Sequence, residues 1–228
     1  MIVTLQILSS AGDAQTEYPF HELYQLDSIA NSPGIAQHFG SLYFQFLQLV
    51  EKKLENADSN TRRLVRHFET VFAGFYIDAC IANRDHQPIF YPAWRTYFTD
   101  TSLSRAQYFL LGANAHLNGQ LMEAISHSYT PQEWKELKSN YILFNSCLNQ
   151  TYHYVYRETL RASKRARLLH LLTLGLDQPI GNFYLYKWRK RQMRLAELYF
   201  SNSSKYSALD KKIAAKKQRI DKMVIKEL

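Results

Sequence analysis

The chain is poor in the residues that staple a fold or carry familiar catalytic signatures. It has two cysteines, Cys80 and Cys147, in 228 residues, each inside an apolar helical pattern. A disulfide framework and a Cys-rich metal site are therefore excluded, and two buried thiols in a reducing compartment are expected. There is no run of ~18 apolar residues, so no membrane-spanning helix is expected. The first stretch, MIVTLQILSSAGDAQTE, lacks a basic start and carries only a short apolar run. It does not read as a signal peptide, and a cytoplasmic protein is expected. Period-two alternation and internal repeats are missing, which argues against sheets and solenoids. So are a glycine-rich phosphate loop, a G-x-S-x-G elbow and an H-E-x-x-H pair, which disfavours nucleotide-dependent and serine-hydrolase chemistry.

What is present is apolar and aromatic. Hydrophobic residues make up 46%, with 16 Tyr and 13 Phe, enough for one sizeable core. The net charge of +8 is uneven. Residues 1–186 hold 15 Lys/Arg against 16 Asp/Glu, whereas residues 187–228 hold 13 against 4. The body is near neutral, so specific nucleic-acid binding is not expected. The excess falls in the last helix and in 205–228. That segment reads as a basic helical tail, which is a solvated end or a surface for an acidic partner or a membrane.

Apolar spacing is helical almost throughout. One stripe runs Ile35, Phe39, Leu42, Phe46, Leu49, and another Val65, Phe68, Phe72, Phe75, Ala79, Ala82. Helix starts are signalled by Ser59/Asn60, by Ser102/Ser104 and by the capping box Thr130-Pro131-Gln132-Glu133. Breaks fall at Ser32-Pro33-Gly34, from Arg84 to Pro92, and at Asp177-Gln178-Pro179. The pattern predicts an all-α fold, a bundle of about seven to eight helices over residues 1–204, followed by the tail. Helices are expected near 20–30, 34–56, 61–83, 93–99, 104–128, 131–161, 164–175 and 180–201.

The segment LLGANAHLNGQL, Leu110–Leu121, is the centre of interest, because two asparagines, a histidine and two glycines weaken a helix that is otherwise well patterned. On a helical wheel Asn114 and Asn118 share the apolar arc of Leu110, Ala113, Leu117 and Leu121. His116 and Gln120 fall opposite, beside Gly112 and Gly119. Buried amides must be hydrogen-bonded, either in a network that ties helices together or as the polar floor of a pocket. The glycines make sense where another backbone or a ligand comes close.

Other residues could join this centre. Asp78, at the edge of its stripe, needs a cation or several donors, and Arg191 and Arg194 on the last long helix are the natural partners. Asn145 is a third interior amide. Trp94 sits where a short helix begins, either as a core anchor or as a cap on the pocket. Tyr152, Tyr154 and Tyr156 alternate along a helix and so cannot form one stacking face. For a metal, His116 and Asp78 are the pair to consider. Gln120 is a poor ligand, and Glu123 lies ~10 Å along the axis, too far to share one ion.

Gly112-Ala-Asn114-Ala-His116-Leu-Asn118-Gly-Gln120-Leu121 resembles the G-x-N-A-H-x-N-x-D-L motif of a bacterial all-helical family of unknown function. Three further blocks resemble the same family in the same order. They are Val71–Ala79 with Tyr76 and Asp78, Pro92–Phe98 with Trp94, and Phe144–Leu148 followed by Trp188 and Arg194. The resemblance covers roughly residues 60–200 and implies an all-α fold with a shared polar centre. Gln120 stands where the family motif has an acid, so any His–acid pair is incomplete here. No activity and no cofactor follow from the resemblance.

Three functions remain. The first is a protein with a buried pocket around the NAHxN helix that binds a small molecule or a lipid-like ligand. The second is a metal-dependent hydrolase using His116 and Asp78. The third is an interaction protein that works through its basic tail.

Overall fold

The computed structural model describes residues 19–227 other than 100, 101, 141, 163, 165–170 and 172–176. The fold is all-α, and no strand occurs among the described residues. Among the described residues ten α-helices follow in order: α1 His21–Asn31, α2 Ile35–Leu54, α3 Ser59–Arg84, α4 Pro92–Thr99, α5 Arg105–Asn114, α6 Leu121–Ser128, α7 Pro131–Asn140, α8 Ile142–Ala162, α9 Asp177–Phe200 and α10 Tyr206–Glu227. The helix expected near 164–175 lies mostly outside the described residues. No helix among those described is long and apolar enough to cross a membrane.

Local chemistry explains where these helices start. Asp58, one residue before the Ser59/Asn60 signal, caps α3 by accepting the Thr61 amide at 2.9 Å and the Thr61 hydroxyl at 2.6 Å. Ser104 and Gln107 form a capping box on α5. Thr130 and Glu133 do the same for α7, the Thr130 amide donating to Glu133 at 3.0 Å and the Glu133 amide to Thr130 Oγ1 at 3.2 Å. The start of α2 has no side-chain cap. Tyrosines stitch it instead, with Tyr97 Oη accepting the Phe39 amide and donating to the Ile35 carbonyl, and Tyr76 donating to the Ala36 carbonyl.

The long helix expected over 104–128 is interrupted. Between α5 and α6, residues Ala115–Gln120 form a π-helical turn, closed by the Leu121 amide donating to the His116 carbonyl. One extra residue per turn re-aims every following side chain, and such turns recur at functional positions. The turn packs against α3, α4, α9 and α10. The two glycines permit this approach. A Cβ on Gly112 would sit 2.4 Å from the Phe39 ring, and one on Gly119 would sit 2.6 Å from Ala93 Cβ.

The core has two lobes. One gathers α1–α5 around Tyr76, Trp94 and Tyr97, and the other gathers α3, α6, α7 and α9 around Phe68, Phe72, Trp134 and Trp188. Along α2 the buried face is Phe39, Tyr43, Leu47, Val50 and Leu54, one step round from the stripe expected from sequence. Leu42 and Phe46 of that stripe are only half-buried, because they line a cavity.

The segment 205–228, expected as a tail apart from the domain, forms α10, which packs on α5, the π turn and α9. Ile213, Lys217, Asp221 and Val224 recur on one face and are buried, while Lys211, Lys212, Lys222 and Lys226 face solvent. A buried ion pair anchors this face. Lys217 Nζ lies 2.7 Å from Asp221 Oδ2 and also donates to the Ala93 carbonyl at 2.8 Å. Breaking such a pair strands a charge away from water. Asp221→Ala is therefore expected to lower unfolding stability by ~3 kcal/mol or more, and Asp221→Asn by less. Urea unfolding followed by circular dichroism checks this, and a loss below ~1 kcal/mol for Asp221→Ala would show that α10 does not anchor the fold.

Candidate functional site

The π turn and Asn114 just before it aim their polar side chains in three directions. Toward α10, Asn114 is fully buried, and its Nδ2 donates to the Lys217 carbonyl at 2.9 Å and to Asp221 Oδ1 at 2.8 Å. Asn118 Nδ2 donates to Asn114 Oδ1 at 2.8 Å, and Gln192 on α9 donates to the Asn118 carbonyl at 3.3 Å. With Lys217 reaching Ala93, this network ties α4, α5, α9 and α10 together. Both asparagines are engaged in that network, and neither lines the cavity.

Toward α4, Gln120 accepts the indole N–H of Trp94, and both residues are buried.

Toward α2 and α3, His116 enters an aromatic nest. Its ring stacks on Phe72 at 3.5 Å between centroids and 11° between planes, and meets Tyr43 edge-on at 4.4 Å and Phe39 at 5.4 Å. It is 5% exposed, and neither ring nitrogen has a hydrogen-bond partner among the described residues. Burial holds its pKa well below the usual histidine value, so the ring is neutral. A neutral imidazole offers one donor and one acceptor, and each left unmade costs ~1–3 kcal/mol.

His116 lines a cavity of about 640 Å³ between α2, α3, α5, the π turn, α8, α9 and α10. The walls are apolar and aromatic and include Leu42, Phe46, Phe68, Phe109, Ile220 and Val224. The buried polar lining comprises Tyr43, Glu69, His116, Thr151 and Arg189. Tyr43 Oη donates to Glu69 Oε2 at 3.1 Å, and Tyr43 also touches His116. Glu69 is 3% exposed, and desolvation pushes its carboxyl up to about 8, against the pull of Tyr43 and of the positive charge of Arg189. Arg189, also buried, lines the same cavity. At the other extreme, Leu110, Tyr184 and Met223 are 39%, 50% and 52% exposed and mark the rim. Lys216 stands beside them, and the like charges of Arg191 and Lys187 help hold its pKa down after the effect of burial.

Of the described residues expected to form one polar centre, His116 alone lines this cavity. Asn114, Asn118, Gln120 and Trp94 sit behind it, and Tyr76 is bound to the Ala36 carbonyl. Asp78 is exposed, and Tyr91 is its hydrogen-bond partner. It forms no ion pair with Arg191 or Arg194 among the described residues, and Arg194 instead meets Glu197 at 3.0 Å. His116 packs on Phe72, which is six residues, or ~9 Å, along α3 from Asp78, so the two do not share an ion. No trio of His, Cys, Asp or Glu among the described residues is placed to hold a metal. The side chain of Asn145 lies outside the described residues. Sequence reasoning missed Tyr43, Glu69, Arg189 and the cavity walls. The one available signal was Glu69, a carboxylate inside the Val65–Phe72 stripe.

The class defined by this geometry is an all-α bundle enclosing a largely apolar cavity. A model described as a family of unknown function (DUF5995) matches residues 22–227, and the chain belongs to that family. No curated protein and no solved structure matches the chain.

The Glu69 carboxyl supplies a pH test. Between its ordinary value of 4.5 and about 8, the folded protein keeps a proton that the unfolded chain has released, so stability falls as pH rises through that window. Glu69→Gln removes the titrating group. Its stability relative to the parent is expected to be unchanged near pH 4.5 and to grow by on the order of 3–5 kcal/mol above pH 8. Urea unfolding across that range checks it, and parallel curves would mean that Glu69 stays ionised in the fold.

Proposed function

We propose that the protein binds a small, largely apolar, lipid-like molecule in the cavity beneath the His116 turn. The observation that carries the reading is a cavity of about 640 Å³ with aromatic and aliphatic walls, a few buried polar groups in its lining, and a partly exposed rim. Ligand sites have this composition and fall in this size range, with apolar walls for affinity and few polar groups for orientation. A core that only had to be stable would be filled to close packing, and the chain has bulky side chains to do it. Binding, rather than a named reaction, is as far as the reading goes.

The wall supplies its own reporter, because Trp188 lines the cavity and is 7% exposed. An apolar fluorescent probe is expected to bind with about one-to-one stoichiometry and to change Trp188 emission. Ala113→Trp places a large ring into the space that Ala113 borders. That variant is expected to lose probe binding at least ~10-fold, equivalent to ~1.4 kcal/mol, while keeping its helical circular dichroism. Equal probe binding by the variant and the parent would remove the cavity as the site.

A further inference from the structure

Resting on that reading, we infer that the occupant is a single-chain amphiphile with an anionic head. Its tail fills the cavity, and its carboxylate or phosphate sits at the rim against Lys216, with Lys187 and Arg191 beside it. Helix geometry gathers these cations. α9 ends at Phe200 and α10 begins at Tyr206, and a connection this short folds the two helices back on each other. The Tyr199 and Tyr206 rings meet across it at 5.5 Å. Arg191 and Lys216 stand at matching distances from that turn, as do Tyr184 and Met223. On α9, Tyr184, Lys187 and Arg191 follow at i, i+3 and i+7. On α10, Lys212, Lys216, Arg219 and Met223 follow at i, i+4, i+7 and i+11, so each set shares one helix face.

These faces join positive charge to the cavity. Lys216, Tyr184 and Met223 all line it, and none of the three is fully buried. A lysine so placed lays its methylene stem on apolar wall and keeps its ammonium in water. After the effect of burial, the like charges of Arg191 and Lys187 weigh against the Lys216 ammonium. Among the described residues, none of Lys187, Arg191, Lys212, Lys216 and Arg219 forms an ion pair. Uncompensated like charges at the edge of an apolar enclosure raise a positive potential that an anion relieves. Nothing in the described lining opposes that anion. Glu69 is its one acid and keeps its proton up to about pH 8, so the lining holds no negative charge at neutral pH. A head drawn down to Arg189, which is 5% exposed, would surrender its water, whereas a head at Lys216 keeps part of it. The tail meanwhile is covered by aromatic and aliphatic wall.

Probes of equal chain length and different head charge test this: dodecanoate, dodecyl phosphate, dodecanol and dodecyltrimethylammonium. Binding to the full chain is followed by Trp188 fluorescence and native mass spectrometry. Both anions are expected to bind at least ~10-fold tighter than dodecanol at low salt, with the cation weakest and the preference shrinking as salt rises. Lys216→Glu should weaken dodecanoate at least ~10-fold more than dodecanol, and Lys216→Arg should keep the parent's preference. Calorimetry should show inorganic phosphate binding at least ~100-fold more weakly than dodecyl phosphate, because it buries no tail. Equal affinity would make the cluster a phosphate site independent of the cavity and overturn the assignment. In bound ¹³C-labelled dodecanoate, a water-soluble relaxation agent should broaden the carboxyl carbon more than the terminal methyl. The reverse order would put the head inward and overturn the assignment without recourse to any variant. If dodecanol or the cation binds the parent as tightly as dodecanoate, the anionic head is overturned while the cavity stands. If no dodecyl probe binds, the cavity reading falls with it.

Discussion

One desolvated ion pair fixes the geometry of everything near the cavity. Lys217 and Asp221 lie one turn apart on α10, and both are buried. Two charges taken out of water must each find partners, and here each has two. The Asp221 oxygens take the Lys217 ammonium and the Asn114 amide, and Lys217 adds the Ala93 carbonyl. The Lys217–Asp221 bond lies within α10, while the bonds to Asn114 and Ala93 reach α5 and α4. The register of α10 against α5, and the approach of α4, are therefore set by groups that tolerate little sliding. A purely apolar seam would allow several registers, and the exposed lysines of α10 would not choose among them.

That constraint explains the π turn. Asn114 must face α10 while His116, two residues on, must face α2 and α3, and Gln120 must reach Trp94 on α4. A straight α-helix of this sequence would place Asn114 and Asn118 on the same arc as Leu117 and Leu121. The extra residue of the π turn spreads the polar groups over three neighbours. The local cost is borne by residues with low helix preference, two glycines and two asparagines. Gly112 and Gly119 then let Phe39 and Ala93 close on the turn, and Phe39 belongs to the wall that His116 faces. The structural network and the cavity are two faces of one short segment, and they use different side chains.

Much of the fold was legible in the sequence because helix chemistry is local. The capping boxes at Ser104 and Thr130, the breaks at Pro33 and Pro92, and the Val65–Ala79 stripe all depend on residues a few positions apart. The π turn was not legible, since its cause is the demand of three distant helices. Its weakening residues did mark the place. The role of α10 was obscured by composition, because a helix with many lysines reads as solvated until its one buried face, Ile213 to Val224, is seen against a partner. Asn114 and Asn118 were correctly expected inside, but interior position did not say which neighbour they serve. Of the candidate centre, His116 was readable as a buried histidine. Tyr43, Glu69 and Arg189 come from three helices, and no spacing rule brings them together.

The size of the cavity is itself informative. At ~24 cal/mol per Å³, a sealed void of about 640 Å³ would cost on the order of 15 kcal/mol, as much as the whole stability of an ordinary domain. The exposed rim of Leu110, Tyr184 and Met223 lowers that cost by admitting solvent, at the expense of wetting aromatic walls. Both terms favour an apolar occupant, which removes the void and the wetted surface together. Glu69 keeps its proton up to about pH 8, so it adds no negative charge to the cavity at neutral pH. Walls of this extent and composition would set how tightly such an occupant is held.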